Sequence, residues 1–132
     1  MMERIDHNNL VSELMRTLPE LEGRYREEVL EHGADGPPSN YSVIGFVFKP
    51  QFKADLEAGN ITDFLHRSTQ FIERICQSGD PEAINVIWIK IFEWLLAHPG
   101  WLRTLWPVLG PATRANIRDA SIRWDCLGDL PE

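Results

Sequence analysis

The sequence predicts an all-α protein, an irregular bundle or a stack of helical hairpins with six to seven helices. Three observations lead there. Residues 80–96 read Asp-Pro-Glu-Ala-Ile-Asn-Val-Ile-Trp-Ile-Lys-Ile-Phe-Glu-Trp-Leu-Leu. Wound at about 100° per residue, they gather Ile84, Ile87, Trp88, Ile91, Phe92, Trp94, Leu95 and Leu96 on a broad arc that other helices must cover. Elsewhere the apolar residues recur at i, i+3/i+4, i+7, the helical period. The one strand-like run, residues 41–48, has no second such run to pair with.

In chain order, Asn8 or Asn9 can cap a first helix through about Leu18, with Leu10, Val11, Leu14, Met15 and Leu18 on one face. Pro19 breaks that helix and begins the next, to about His32. There Leu18, Leu21, Tyr25 and Val29 form a narrow apolar stripe opposite Glu20, Arg24, Glu27 and Glu31. Gly33 ends it, and residues 33–40 form a Pro/Gly-rich corner. The run from Tyr41 to Phe48 is expected to be a short buried helix capped by Ser42. It should be kinked or broken before Pro50, with a further turn or two stopping at Gly59.

Asn60 or Thr62 caps the next helix, to about Gln77, carrying Ile61, Phe64, Leu65, Ser68, Ile72, Ile75 and Cys76 at helical spacing. After Gly79, Asp80 and Pro81 start the Trp-rich helix as its antiparallel neighbour. Val86 and Ile89 fall inside the polar arc of that helix, where they are either covered by the last helix or exposed. Pro99-Gly100 restarts the chain into residues 101–109, and Gly110-Pro111 opens a last helix to about Trp124, with a buried stripe of Ile117, Ala120, Ser121 and Trp124. Arg114, Arg118 and Arg123 give it a basic face. The tail from Gly128 to Glu132 has little to hold it.

A chain of 132 residues fits a single helical domain, 1–132. Its start has no apolar segment behind a basic run, and no stretch is long enough for a membrane span, so the expected location is cytoplasmic. Cys76 and Cys126 each fall among apolar residues and read as buried free thiols. The net charge of −7 is uneven: residues 1–40 hold nine acids against four bases. Nucleic acid and anionic membranes are poor partners for that surface, and a basic protein is a better one.

Reactive chemistry is missing from the pattern. His7, His32, His66 and His98 are far apart and none stands at ligand spacing from another. Gly-x-Ser-x-Gly, a phosphate-binding glycine loop and Cys-x-x-Cys are all absent. The chain is therefore expected to be no enzyme, with no cofactor and no metal. What departs from folding logic is the end of the second helix, where Glu27, Glu28 and Glu31 oppose the helix dipole and Glu27 and Glu31 repel at i, i+4. With Glu20, with Asp35 in the corner and with Tyr41 just after it, these are the candidate partner-binding residues.

Several landmarks together resemble a family of small bacterial helical proteins of uncharacterised function. They are Leu18-Pro19-Glu20-Leu21 with Tyr25 and Glu28, the acidic corner, the apolar run to Pro50, Phe64-Leu65 with Phe71-Ile72-Glu73, Val86-Ile87, and Leu109-Gly110-Pro111-Ala112-Thr113-Arg114. Members of that family often look like immunity proteins of polymorphic toxin systems. The resemblance implies an antitoxin-like protein that binds and neutralises a cognate toxin with a basic surface. The alternative is a non-enzymatic helical adaptor or a self-associating regulatory protein.

Overall fold

Among the described residues, seven helices follow one another in the order the periodicity sets out. The computed structural model describes residues 4–123 together with 130 and 131, and among these there is no strand. Helix α1 is Leu10–Thr17; after a 3₁₀ turn at Pro19–Leu21, α2 is Glu22–His32, continued by a 3₁₀ turn at Gly33–Asp35. Helix α3 is one continuous rod made of Asn40–Val43, a π turn at Ile44–Phe48 and Lys49–Glu57. Helix α4 is Asp63–Ser78. Helix α5 joins Pro81–Ile87, a second π turn at Trp88–Phe92 and Glu93–Leu96. Helix α6 is Pro99–Leu105 with a 3₁₀ turn at Trp106–Val108, and α7 is Pro111–Arg123.

Helix α4 is the hub, packed against α1, α3, α5 and α7. Its buried face holds Phe64, Leu65, Phe71, Ile72 and Ile75, spaced to bring successive turns to the core. Thr62 caps it, accepting from the Leu65 amide at 3.1 Å. Gly79 closes it in the left-handed region, with φ 75°, where a side chain would be strained. Within α3 the Phe48 and Phe52 ring centroids are 5.0 Å apart, and Phe48 meets Phe64 of α4 at 6.3 Å. Charge also crosses the core: Glu13 is buried, with Arg74 Nη2 at 2.6 Å and Arg16 Nη1 at 3.2 Å.

Several expectations need correction. Asn9 stands at the start of α1 but its side chain makes no cap; its Oδ1 accepts from the Asp6 amide at 2.8 Å instead. Ser39, not Ser42, caps α3, accepting from the Ser42 amide at 3.1 Å. Helix α3 does not break before Pro50. Proline has no N–H to return to the Phe46 carbonyl four residues back, and Arg24 Nε donates to that carbonyl at 3.1 Å, so the helix passes through. Val86 is buried at 2% exposure while Ile89 is 46% exposed, which divides that pair. In the tail, Leu130 is partly buried against the core. Trp124, Cys126 and Gly128 lie outside the described residues.

The two π turns stand at the same height. Tyr41 accepts from Asn85 Nδ2 at 2.7 Å, Lys90 lies over Gly45, and Lys49 lies over the Trp94 ring. Pairs 41 with 85, 45 with 90 and 49 with 94 climb both helices in the same direction, so α3 and α5 run parallel with their wide turns side by side.

Candidate functional site

Helix α2 is held at its start and bare at its end. Leu21 is buried and Tyr25 half-buried against the core, but Val29 is 38% exposed, so the apolar stripe of this helix stops one turn short of its expected length. The arginines on its flank are occupied: Arg24 reaches the Phe46 carbonyl and Glu27, and Arg26 pairs with Glu22.

The six expected partner-binding residues separate into two groups. Glu20 is gripped by Arg67, whose Nη1 and Nη2 donate to its two oxygens at 2.8 Å and 2.5 Å. Arg67 also reaches the Thr17 carbonyl and Asp63. The Arg67 hydrogen bond holds the Glu20 carboxyl below the ordinary carboxylate range, and the guanidinium is raised in turn. Glu20 therefore ties the α1–α2 junction to α4. Glu28 is buried, with His32 Nε2 3.2 Å from its Oε2. Tyr41 is half-buried and bonded to Asn85, facing α5. These three are engaged within the fold, Glu20 at an exposed position and Glu28 and Tyr41 at least half-buried.

Glu27, Glu31 and Asp35 are exposed. Glu27 has Arg24 at 3.3 Å, an exposed pair worth little. Glu31 and Asp35 make no ion pair among the described residues; His32, the one base within helical reach of Glu31, turns to Glu28 instead. Between Glu27 and Glu31 stands Leu30, 79% exposed, the most open large apolar side chain of those described. Glu27, Leu30 and Glu31 fall at i, i+3 and i+4, so they share one stripe along the end of α2. Leu30 carries no motif and sits among charged neighbours, which masks it in the sequence. Its place on the polar side of the helical wheel was the available signal.

An apolar knob framed by exposed carboxylates offers contact area and a charge sign, but no nucleophile and no proton relay. Among the described residues, no three His, Cys, Asp or Glu side chains come together to hold a metal ion, and no helix is long and apolar enough to cross a membrane. Cys76 is buried on α4, and burial pushes its thiol up to about 12, so the reactive thiolate is scarce.

Residues 11–125 match the family model described as a domain of unknown function, DUF7674. No curated protein matches, and no solved structure matches.

Proposed function

We propose that this chain, which belongs to the DUF7674 family of domains of unknown function, acts as a non-enzymatic binding protein. Its end-of-α2 stripe docks a basic protein partner. The observation that carries the reading is Leu30, 79% exposed between the open carboxylates of Glu27 and Glu31. Leaving a leucine in water forgoes roughly 1.5–3 kcal/mol of burial that a partner can restore. The acids around it select a positive surface and speed encounter.

The partner class proposed is a cognate toxin, and the role is that of an immunity protein that covers the toxin's active surface. The acidic bias and the resemblance described above support it. The test is coexpression with the product of the adjacent gene, followed by purification and titration of the two proteins. Leu30→Ala and the charge reversal Glu27→Lys/Glu31→Lys should each weaken binding by tenfold or more, and protection from the toxin should fall with them. Binding that survives both changes would remove this stripe from the interface. Captured protein with an acidic surface would contradict the proposed partner chemistry.

A further inference from the structure

Only three lysines occur in the chain, and the fold brings them into one row. Lys49 and Lys53 stand at i, i+4 on α3, hence on one face. Gly45, one turn earlier on that face, has no side chain, and Lys90 of α5 lies in its place. The Lys90 Cδ, Cε and Nζ atoms are 3.5, 3.6 and 3.7 Å from where a Gly45 Cβ would stand. The row Lys90, Lys49, Lys53 therefore advances by about one helical turn, roughly 5–6 Å, per charge.

This row is poorly neutralised. Lys53 has one distant exposed partner, Glu57 at 3.9 Å, while Lys49 and Lys90 have no carboxylate partner among the described residues. The Lys49 ammonium sits 4.8 Å over the Trp94 ring, and Trp94 leads on to Trp101, with ring centroids 5.2 Å apart. Burial, together with the charges of Lys90 and Lys53, depresses the Lys49 pKa. Neighbouring cations without counter-ions oppose folding, and in a chain of net charge −7 carboxylates were plentiful enough to supply them.

We propose that the row of Lys90, Lys49 and Lys53 docks an acidic helical segment of a partner protein, its carboxylates at i, i+4 and i+8 meeting the three ammoniums in turn beside Trp94. The spacing matches one face of a helix. Three point charges without an arginine fork suit separate carboxylates better than one phosphate, and the overall negative charge repels nucleic acid and anionic bilayers. This surface lies on α3 and α5 and has the opposite sign to the α2 stripe, so the fate of either proposal leaves the other standing.

The probe is a fluorescein-labelled, alanine-rich helical peptide with glutamates at i, i+4 and i+8, titrated with the full chain and read by anisotropy. Saturable binding is expected to weaken about tenfold in Lys49→Gln/Lys90→Gln, from two lost charge pairs. Gly45→Gln leaves the charge unchanged but displaces Lys90, and should weaken binding several-fold. A peptide with the same glutamates scattered around the helix should bind less tightly. Equal affinity of the folded double variant, checked by circular dichroism, would overturn the proposal. So would equal binding of the scattered peptide, or tighter binding to phosphatidylserine vesicles or inorganic phosphate. Sedimentation showing that the row is already covered by a second copy of the chain would overturn it too.

Discussion

The carboxylate of Glu73 on α4 holds the first turn of α7 through Thr113. Glu73 Oε1 accepts from the Thr113 amide at 2.8 Å and from its hydroxyl at 2.7 Å, and Oε2 accepts from the Ala112 amide at 3.1 Å. Gly110-Pro111 brings no capping side chain of its own, so a residue 40 positions away takes the N-cap's part. Burial opposes ionisation of Glu73, but the bonds from Thr113, Ala112 and Gln77 prevail and hold it below the ordinary carboxylate range. Replacing Glu73 by Ala is expected to cost about 1–2 kcal/mol, the range of a lost cap. Glu73→Gln, which keeps one acceptor oxygen, should cost less. Urea denaturation of the two variants measures the order.

Gly110 belongs to the same arrangement. A Cβ there would stand 2.3 Å from Glu73 Cδ and 2.5 Å from Oε1, so Gly110→Ala must expel the carboxylate. Its destabilisation should resemble that of Glu73→Ala. The double variant should lose little more than either single change, giving a coupling energy of about 1 kcal/mol in a double-mutant cycle. Full additivity would show that the alanine is accommodated elsewhere.

A second polar joint makes stability depend on pH. His7 Nδ1 lies 3.0 Å from Asp80 Oδ2, and the His7 amide donates to the same oxygen at 2.7 Å. The bond to Asp80 raises the His7 pKa above its ordinary 6.5, and the bond to His7 lowers the Asp80 pKa below its ordinary 3.8. The contribution of charged His7 is complete below pH 6.5 and is lost as pH rises through the raised value. That of Asp80 is complete above pH 3.8 and is lost as pH falls through the depressed one. The denaturation midpoint of the protein should fall between pH 6 and 8, and His7→Gln should flatten that slope. The same slope in the variant would assign the effect to another group.

The Ser68 hydroxyl is fully buried and has no hydrogen-bond partner among the described residues. Leaving such a group unsatisfied costs free energy that its removal returns. Ser68→Ala is expected to be neutral or to raise stability by up to about 1 kcal/mol, seen as a higher melting temperature. A clear loss would mean that the hydroxyl is bonded in solution.

Cys76 should resist modification. Its thiol is buried and raised to about 12, so in a Cys126→Ser background Ellman's reagent should react with it only at the rate of unfolding.

The helices were readable because their apolar residues keep a 3.6-residue period and because Pro, Gly and Thr punctuate them. Thr62, Gly79 and Pro111 stand where that grammar puts them. Partnership across the chain was not readable. Glu20 and Glu28 look like members of an acidic face, yet Arg67 ties the exposed Glu20 to α4 and Glu28 is buried beside His32. Arg67 is nearly 50 positions from Glu20, and no local rule links the two. The π turns left no signal either, since an extra residue per turn shifts a helical wheel without breaking it. Val86 shows the consequence: a uniform 100° wheel puts it in the polar arc, and the folded chain buries it.

The matched π turns also bear on how this chain can change in length. Each adds one position to its helix, and both do so at the level where Gly45 meets Lys90. Excising a single codon from either turn would slide everything beyond it by one place against its neighbour, parting Lys49 from Trp94. Removing one codon from each at once would keep Lys49 beside Trp94 but would still shift both helices against α4. The two wide turns thus tie the length of α3 to that of α5 at this level, and α4, packed on both, ties each of them to the hub.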